Sequence, residues 1–305
     1  MATPFRIGTR ASPLAMAQAH LVASALRATH GWGEDAIQLC PVVASGDKVL
    51  DRALAEIGGK SLWTKELDRA LHEGAIDCAV HSMKDVETIR PDSLTVVAML
   101  PRADVRDRLV GAESIAALRE GARVGTSAPR RRAQLLRLRP DLEIVLFRGN
   151  VQTRLGKIEV GEADATLLAA AGLERLGLQH IGAAVPVETL LPAPSQGAIG
   201  IETLADDEHA RALVAAIDDA ETHGCVAAER TLLAGLAGDC RSPVAALARI
   251  AGGAITLRAE IYSEDGAAFE TGAINFDADK RDAPLRLAAQ MLERAPEAVR
   301  AAFAR

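Results

Sequence analysis

The chain has 305 residues, 49% of them hydrophobic and 25% charged, and 41 acidic against 35 basic side chains give a formal net charge of −6. At roughly 150 residues per domain this length predicts two or three domains, and the composition excludes a disordered or collagen-like chain. Aromatic residues at 3% leave little for a base-stacking nucleic-acid module, and the overall negative charge argues against a long polyanion as partner.

The charge is unevenly spread. Only six of the 35 bases are Lys, and the stretch from Arg123 to Lys157 carries net +7, which leaves −13 for the remainder. A local positive field in an acidic protein suits a confined anion site, the plainer alternative being a solvated Arg-rich helix face. The four cysteines, Cys40, Cys78, Cys225 and Cys240, lie far apart with no CxxC. That pattern predicts free thiols in a reducing cytoplasm. Arg10, Gln18 and His20 interrupt the apolar N-terminal stretch, so a strand followed by a helix fits it better than a secretion signal. No run approaches the ~18 apolar residues of a membrane span.

In chain order, Phe5–Thr9 reads as a strand, and Ser12-Pro13 as the cap and first turn of a helix reaching about His30. Ile37–Val43 reads as a strand, Leu62–Glu73 as a helix stopped by Gly74, and Asp77–Val80 as a short apolar strand that ends abruptly in His81-Ser82-Met83-Lys84-Asp85. Leu94–Leu100 is a further strand. The grammar then restarts. Gly8-Thr9 before Pro13 and Ala17-Gln18 is echoed by Gly125-Thr126 before Pro129 and Ala133-Gln134, and Gly74–Asp77 is echoed by Gly161–Asp164 before a strand at Ala165–Ala169. Two α/β lobes of similar topology with mainly parallel sheets follow. Prolines mark their ends, at Leu100-Pro101 and at Leu191–Gly197. Ala198–Glu202 has no room to start a third sheet, so it returns to the first lobe, which gives two hinge crossings and a cleft between lobes. Beyond Glu221 a helix at Val226–Leu236, strands at Ala245–Ile250, Ile255–Tyr262 and Ala268–Phe276, and a helix at Pro284–Arg294 predict a small α+β domain. The expected domains are 1–100 with 198–218, then 104–193, then 221–305.

Three constellations carry chemistry. His81–Asp85 sits at the carboxyl end of a buried strand, where open α/β sheets bind ligands. Asp85 there suits holding a cationic group or moving a proton, with Lys84 beside it to keep it ionised or to meet a carboxylate; an ordinary polar turn is the plainer alternative. The second is a set of arginines at strand-to-helix turns: Arg10, the Ser127–Arg132 run with Arg130 and Arg131, and Arg148 with Arg154. Helix starts favour anions, and the guanidinium fork matches carboxylate or phosphate without choosing between them. The third is Gly238-Asp239-Cys240-Arg241-Ser242-Pro243, a loop expected to expose the thiol, with Arg241 favouring thiolate. The His residues form no HxxxH or HExxH spacing, so no metal site is expected.

Ile7–Ala15, Gly58-Gly59-Lys60, Ala79–Asp85, Val124–Ser127, Arg148–Leu155, Ala171–Leu178, Gln196-Gly197-Ala198 and the Cys240 loop together resemble the porphobilinogen deaminases, in order from about residue 5 to 250. The resemblance implies two periplasmic-binding-protein-like lobes with a third, smaller domain. It implies a cytoplasmic, monomeric transferase of heme biosynthesis that joins four porphobilinogen molecules head to tail into linear hydroxymethylbilane with release of ammonia. Neither nucleic acid nor membrane is an expected partner. It further implies a dipyrromethane cofactor, held by a thioether to Cys240 and contacted by Ser12, Lys84, Ser127, Arg130 and Arg131. Arg10, Lys60, Arg148, Arg154, Arg175 and Gln196 are the implied substrate contacts, and Asp85 the catalytic carboxylate beside the pyrrole N–H. Four positions depart from the family pattern: Asp239 replaces the second Gly before the Cys, Ala128-Pro129 replaces Ser-Leu, Trp63 replaces a frequent Phe, and Glu56 stands where some members have Lys. A non-catalytic two-lobe anion-binding protein is the competing reading; it accounts for the arginine turns but not for Asp85 or the Cys240 loop.

Overall fold

The computed structural model describes residues 3–42 and 64–304. The first part of the chain comprises β1 (Phe5–Arg10), α1 (Pro13–His30), β2 (Ile37–Val42), α2 (Lys65–His72), β3 (Cys78–Ser82) and β4 (Leu94–Met99). Then come β5 (Asp107–Val110), β6 (Arg123–Gly125), α3 (Pro129–Leu138), β7 (Glu143–Val145), α4 (Val151–Glu159), β8 (Ala165–Ala169), α5 (Ala170–Arg175) and β9 (Ala183–Ala184). The remainder holds β10 (Ile199–Leu204), α6 (Glu208–Ala215), α7 (Ala220–Gly235), β11 (Val244–Ala251), β12 (Ala254–Tyr262), β13 (Phe269–Asp277), α8 (Ala283–Arg294) and α9 (Glu297–Ala301). These residues form two compact units, one of 3–42, 64–103 and 197–223, the other of 104–196 and 224–304.

In the first unit the sheet order is β2-β1-β3-β10-β4, and β10 runs antiparallel to β3 and β4 while the other four strands share one direction. The strand after residue 198 does return to this sheet, with Ile199 opposite Ser82 and Ile201 opposite Val80. Helix α1 begins where its sequence dictates: Ser12 Oγ accepts the Ala15 N–H at 3.3 Å, Pro13 fills the first turn, and Gly31 closes the helix at φ +66. Its stripe of Ala19, Val22, Ala23 and Leu26 packs with Ile7, Val80, Ala98 and Ile201 in one core. Gly200 is fixed by close approach, since a Cβ there would lie 2.1 Å from Met83 Sδ. Met83 is fully buried beneath the turn that carries Lys84 and Asp85.

The second unit repeats the plan. Its sheet order is β7-β6-β8-β5-β9, with β5 antiparallel to its neighbours β8 and β9. Both sheets are therefore mainly parallel, with one reversed strand next to the edge. Helix α3 has Ala128, and not Ser127, at its cap position, so no side chain caps it; Thr126 Oγ1 accepts the Ala128 N–H just before. The three-stranded antiparallel sheet β11-β12-β13 packs its inner face on Leu232, Leu236, Leu287 and Met291. It shares a further apolar cluster, Ala133, Val187, Leu191, Ala245, Leu247 and Tyr262, with the five-stranded part of the same unit. No described helix is long and apolar enough to cross a membrane.

Candidate active site

Strand β3 is buried through His81 and passes at Ser82 into a single 3₁₀ turn, Met83–Asp85. Asp85 lines an open pocket of about 310 Å³, solvent at its mouth included, with Arg10, Gln18, Thr64, His81 and Ser82. Arg10 arrives from the end of β1, so two strand ends converge on the pocket, and Ser12 is committed as the cap of α1. Lys84 belongs to the same turn as Asp85. Lys60, Trp63 and Glu56 lie outside the described residues.

Sequence reasoning missed Gln18 in this pocket. It is buried and exchanges hydrogen bonds with Ser82, its Nε2 donating to Ser82 Oγ at 2.8 Å and its Oε1 accepting from that hydroxyl at 3.0 Å. The signal was an amide within the apolar stripe of α1. Behind the pocket His81 meets Glu202 of β10 at 3.2 Å, and Glu202 is fully buried. Burial alone would raise the Glu202 carboxyl; hydrogen bonds from His81 and Arg90 outweigh it and hold the pKa at about 2.

In the second unit the structure brings Arg130, Arg131 and Gln196 together on one buried carboxylate. Arg130 Nη2 donates to Asp107 Oδ2 and Arg131 Nη2 to Asp107 Oδ1, each at 2.8 Å, and Gln196 Nε2 donates to Asp107 Oδ1 at 3.0 Å. Burial penalises the Asp107 charge, but the two guanidinium groups more than offset it and hold the carboxyl well below the usual range. Among the described residues these two cations pair with one anion, which leaves a net positive charge at the start of α3, and Arg130 Nε is buried there with no hydrogen-bond partner. Asp107→Asn is expected to leave two buried guanidinium groups short of an anion and to cost about 3–5 kcal/mol. Thermal melting should fall by roughly 10 °C, and an unchanged melt would show that Asp107 is not the counterion.

Arg148 is buried just before α4, whose cap Asn150 accepts the Thr153 N–H at 2.9 Å. Arg154 Nε donates to the Gly149 carbonyl at 3.0 Å, so the Arg148-Gly149-Asn150 turn and the first turn of α4 hold one another. Arg175 ends α5, where burial lowers its pKa to about 10 and leaves it cationic at neutral pH. Two arginines of the positive stretch are structural: Arg137 stacks 3.8 Å over the Phe269 ring, and Arg139 pairs with Asp141 at 2.7 Å.

Cys240 is exposed in the loop between α7 and β11, whereas Cys78 and Cys225 are buried. Asp239 shapes this loop by accepting the Arg241 N–H at 2.8 Å on Oδ1 and the Arg241 guanidinium at 2.6 Å on Oδ2. The Arg241 charge expected to favour thiolate is thus matched by Asp239. Positive φ in this loop falls on Ala237, at +51, and not on Asp239, so the backbone does not demand glycine where the family pattern has it. Among the described residues no group of three or more His, Cys, Asp or Glu is placed to hold a metal ion.

Two family models match the chain: "Porphobilinogen deaminase, dipyromethane cofactor binding domain" over residues 5–212, and "Porphobilinogen deaminase, C-terminal domain" over 223–293. Relatives named porphobilinogen deaminase include that of Sphingopyxis alaskensis, 61% identical over 99% of this chain and 97% of its own length. That of Paracoccus denitrificans is 52% identical over 86% of this chain and 85% of its own. A solved structure, an ancestral arginine-binding protein bound to arginine, aligns at 14% identity over 71% of this chain and 92% of its own with a TM-score of 0.38, too loose a likeness to bear on function. With the models spanning both units and high identity along nearly the whole length, the chain belongs to the porphobilinogen deaminase family, enzymes of tetrapyrrole biosynthesis that carry a dipyrromethane cofactor.

Proposed function

We propose that Asp85 is the carboxylate around which this enzyme joins four porphobilinogen molecules into hydroxymethylbilane. The observation that carries the reading is its place at the carboxyl end of β3, in one pocket with Arg10. Departure of ammonia leaves positive charge on the substrate. A fixed carboxylate facing the pyrrole N–H stabilises that charge and relays the proton, while Arg10 meets a substrate carboxylate.

The chain's residues fit the dipyrromethane group. Cys240 offers an exposed thiol, and the excess cation of the Arg130–Arg131–Asp107 cluster, with its orphaned Nε, suits acetate and propionate side chains. When bound, the group supplies the primer to which substrate units are added. Ser12, Lys84, Ser127, Arg130 and Arg131 would hold it, and Lys60, Arg148, Arg154 and Arg175 would meet the carboxylates of the growing chain. Gln196 Nε2 donates to the Val105 carbonyl at 2.7 Å and to Asp107 at 3.0 Å, so both its hydrogens are committed and its part would be to brace the arginine cluster. The same reading assigns three domains, a cytoplasmic monomer, and no nucleic-acid or membrane partner.

The test is elongation in Arg148→Ala and Arg154→Ala. A charge-assisted contact is worth about 1.5–3 kcal/mol, so each variant should lose roughly ten- to a hundredfold in turnover and accumulate partial chains visible by intact mass. A change in melting temperature with normal turnover would make these arginines structural only.

A further inference from the structure

Arg90 lies five residues beyond Asp85 and does not line its pocket, yet it holds two residues that do. Its side chain is 9% exposed and all three nitrogens are engaged. Nε and Nη2 fork onto Glu202 at 2.9 Å each, Nη2 also meets Asp68 at 2.5 Å, and Nη1 meets Glu87 at 2.8 Å and Thr64 Oγ1 at 3.2 Å. Glu202 in turn takes the ring of His81 at 3.2 Å, and the Thr64 hydroxyl donates to Glu87 at 3.0 Å. Both His81 and Thr64 are pocket walls, and both are buried.

We infer that Arg90 is a positioning residue for the reaction at Asp85, fixing the His81 wall through Glu202 and the Thr64 wall directly. The inference rests on the reading of Asp85 as the catalytic carboxylate.

The residue type follows from the geometry. A planar fork can serve Glu202 on one edge and Asp68, Glu87 and Thr64 with its remaining N–H groups at the same time, which a single ammonium cannot do. The loop from Val86 to Arg90 is thereby tied to β10 and α2 and cannot drift without moving the pocket. The groups facing Glu202 are His81 from β3, Arg90 from the loop, and Asp68 from α2, whose own carboxyl is raised by burial. Without Arg90, Glu202 would keep only His81 as side-chain partner among the described residues, and burial would drive its carboxyl upward. Protonated, Glu202 is a weaker acceptor for the imidazole, so the His81 wall would loosen at a higher pH than in the wild type.

The test compares Arg90→Gln and Arg90→Lys holoenzymes in kcat, KM for porphobilinogen and the pH profile of kcat. A wall displaced by about 1 Å costs on the order of a hundredfold. Arg90→Gln should therefore lose ten- to a hundredfold in kcat with KM within about twofold, and the acid limb of its profile should move to higher pH. Arg90→Lys keeps the charge without the fork, so its acid limb should return toward the wild type while kcat stays reduced. A folded Arg90→Gln enzyme with wild-type kcat and acid limb, or one whose only change is in melting, overturns the inference. If Arg90→Gln does not fold, Arg90→Lys decides, and full kcat there overturns it. Asp85→Asn is measured alongside. Retained turnover in that variant sinks the reading of Asp85 itself, whereas wild-type Arg90 variants beside an inactive Asp85→Asn sink only the positioning role.

Discussion

Asp85→Asn is expected to fold like the wild type and to lose about 10²- to 10⁴-fold in turnover of porphobilinogen. The substitution preserves shape and removes two capacities, the negative charge and the ability to carry a proton. Asp85 sits in a short turn over fully buried Met83, and its side chain takes no part in the apolar cores, so the fold has little reason to respond. The chemistry does, because an amide neither offsets the charge left by departing ammonia nor relays a proton. Asp85→Glu makes the complementary case: it restores the charge but carries it one methylene further, and a misplacement of about 1 Å is worth up to a hundredfold. Initial rates of hydroxymethylbilane formation, paired with thermal melts, read both effects. Asp85→Asn turning over within a few-fold of the wild type would remove Asp85 from the reaction.

Much of the first unit was legible because its signals are local. Ser12-Pro13 and Gly31 delimit α1, and the repeated strand–turn–helix grammar anticipates two sheets of one plan. The return of β10 followed from its having no partner strands nearby in sequence. Strand β5 escaped notice because its first residue, Asp107, is a charged group in a fully buried position, and its partners on α3 lie 23 and 24 residues away. The same omission coloured the arginine run. Its positive charge was visible, but a buried carboxylate that answers part of it belongs to a segment with no pattern of its own. Arg90 and Glu202 were equally hidden, being 112 residues apart in sequence. The Asp239 turn was within reach of sequence reading, since an Asp side chain in a turn commonly accepts the backbone N–H two residues on, here that of Arg241.

Cys240→Ala is expected to abolish cofactor attachment, and with it all but background turnover. The four thiols differ in what their surroundings permit. Cys78 is wholly buried, and burial drives its pKa up, away from the thiolate that nucleophilic attack requires. Cys40 is half-buried and is raised by burial as well, with Arg6 only partly opposing. Cys225 is enclosed in the core beneath β11–β13. Cys240 alone of the four is exposed, in the loop where Asp239 accepts the Arg241 N–H. In the chain without cofactor, removing an exposed thiol should change stability by less than about 0.5 kcal/mol, so failure of Cys240→Ala to acquire the cofactor is not a consequence of unfolding. Intact mass gives the readout: the wild type should carry two pyrrole units beyond its polypeptide mass, and the variant none. Cys240→Ser should match the alanine variant, because a hydroxyl is far from ionising near neutral pH and is a poor nucleophile without an adjacent base. Dipyrromethane found on Cys240→Ala would move the anchor to another thiol, with Cys40 the next to map by peptide mass.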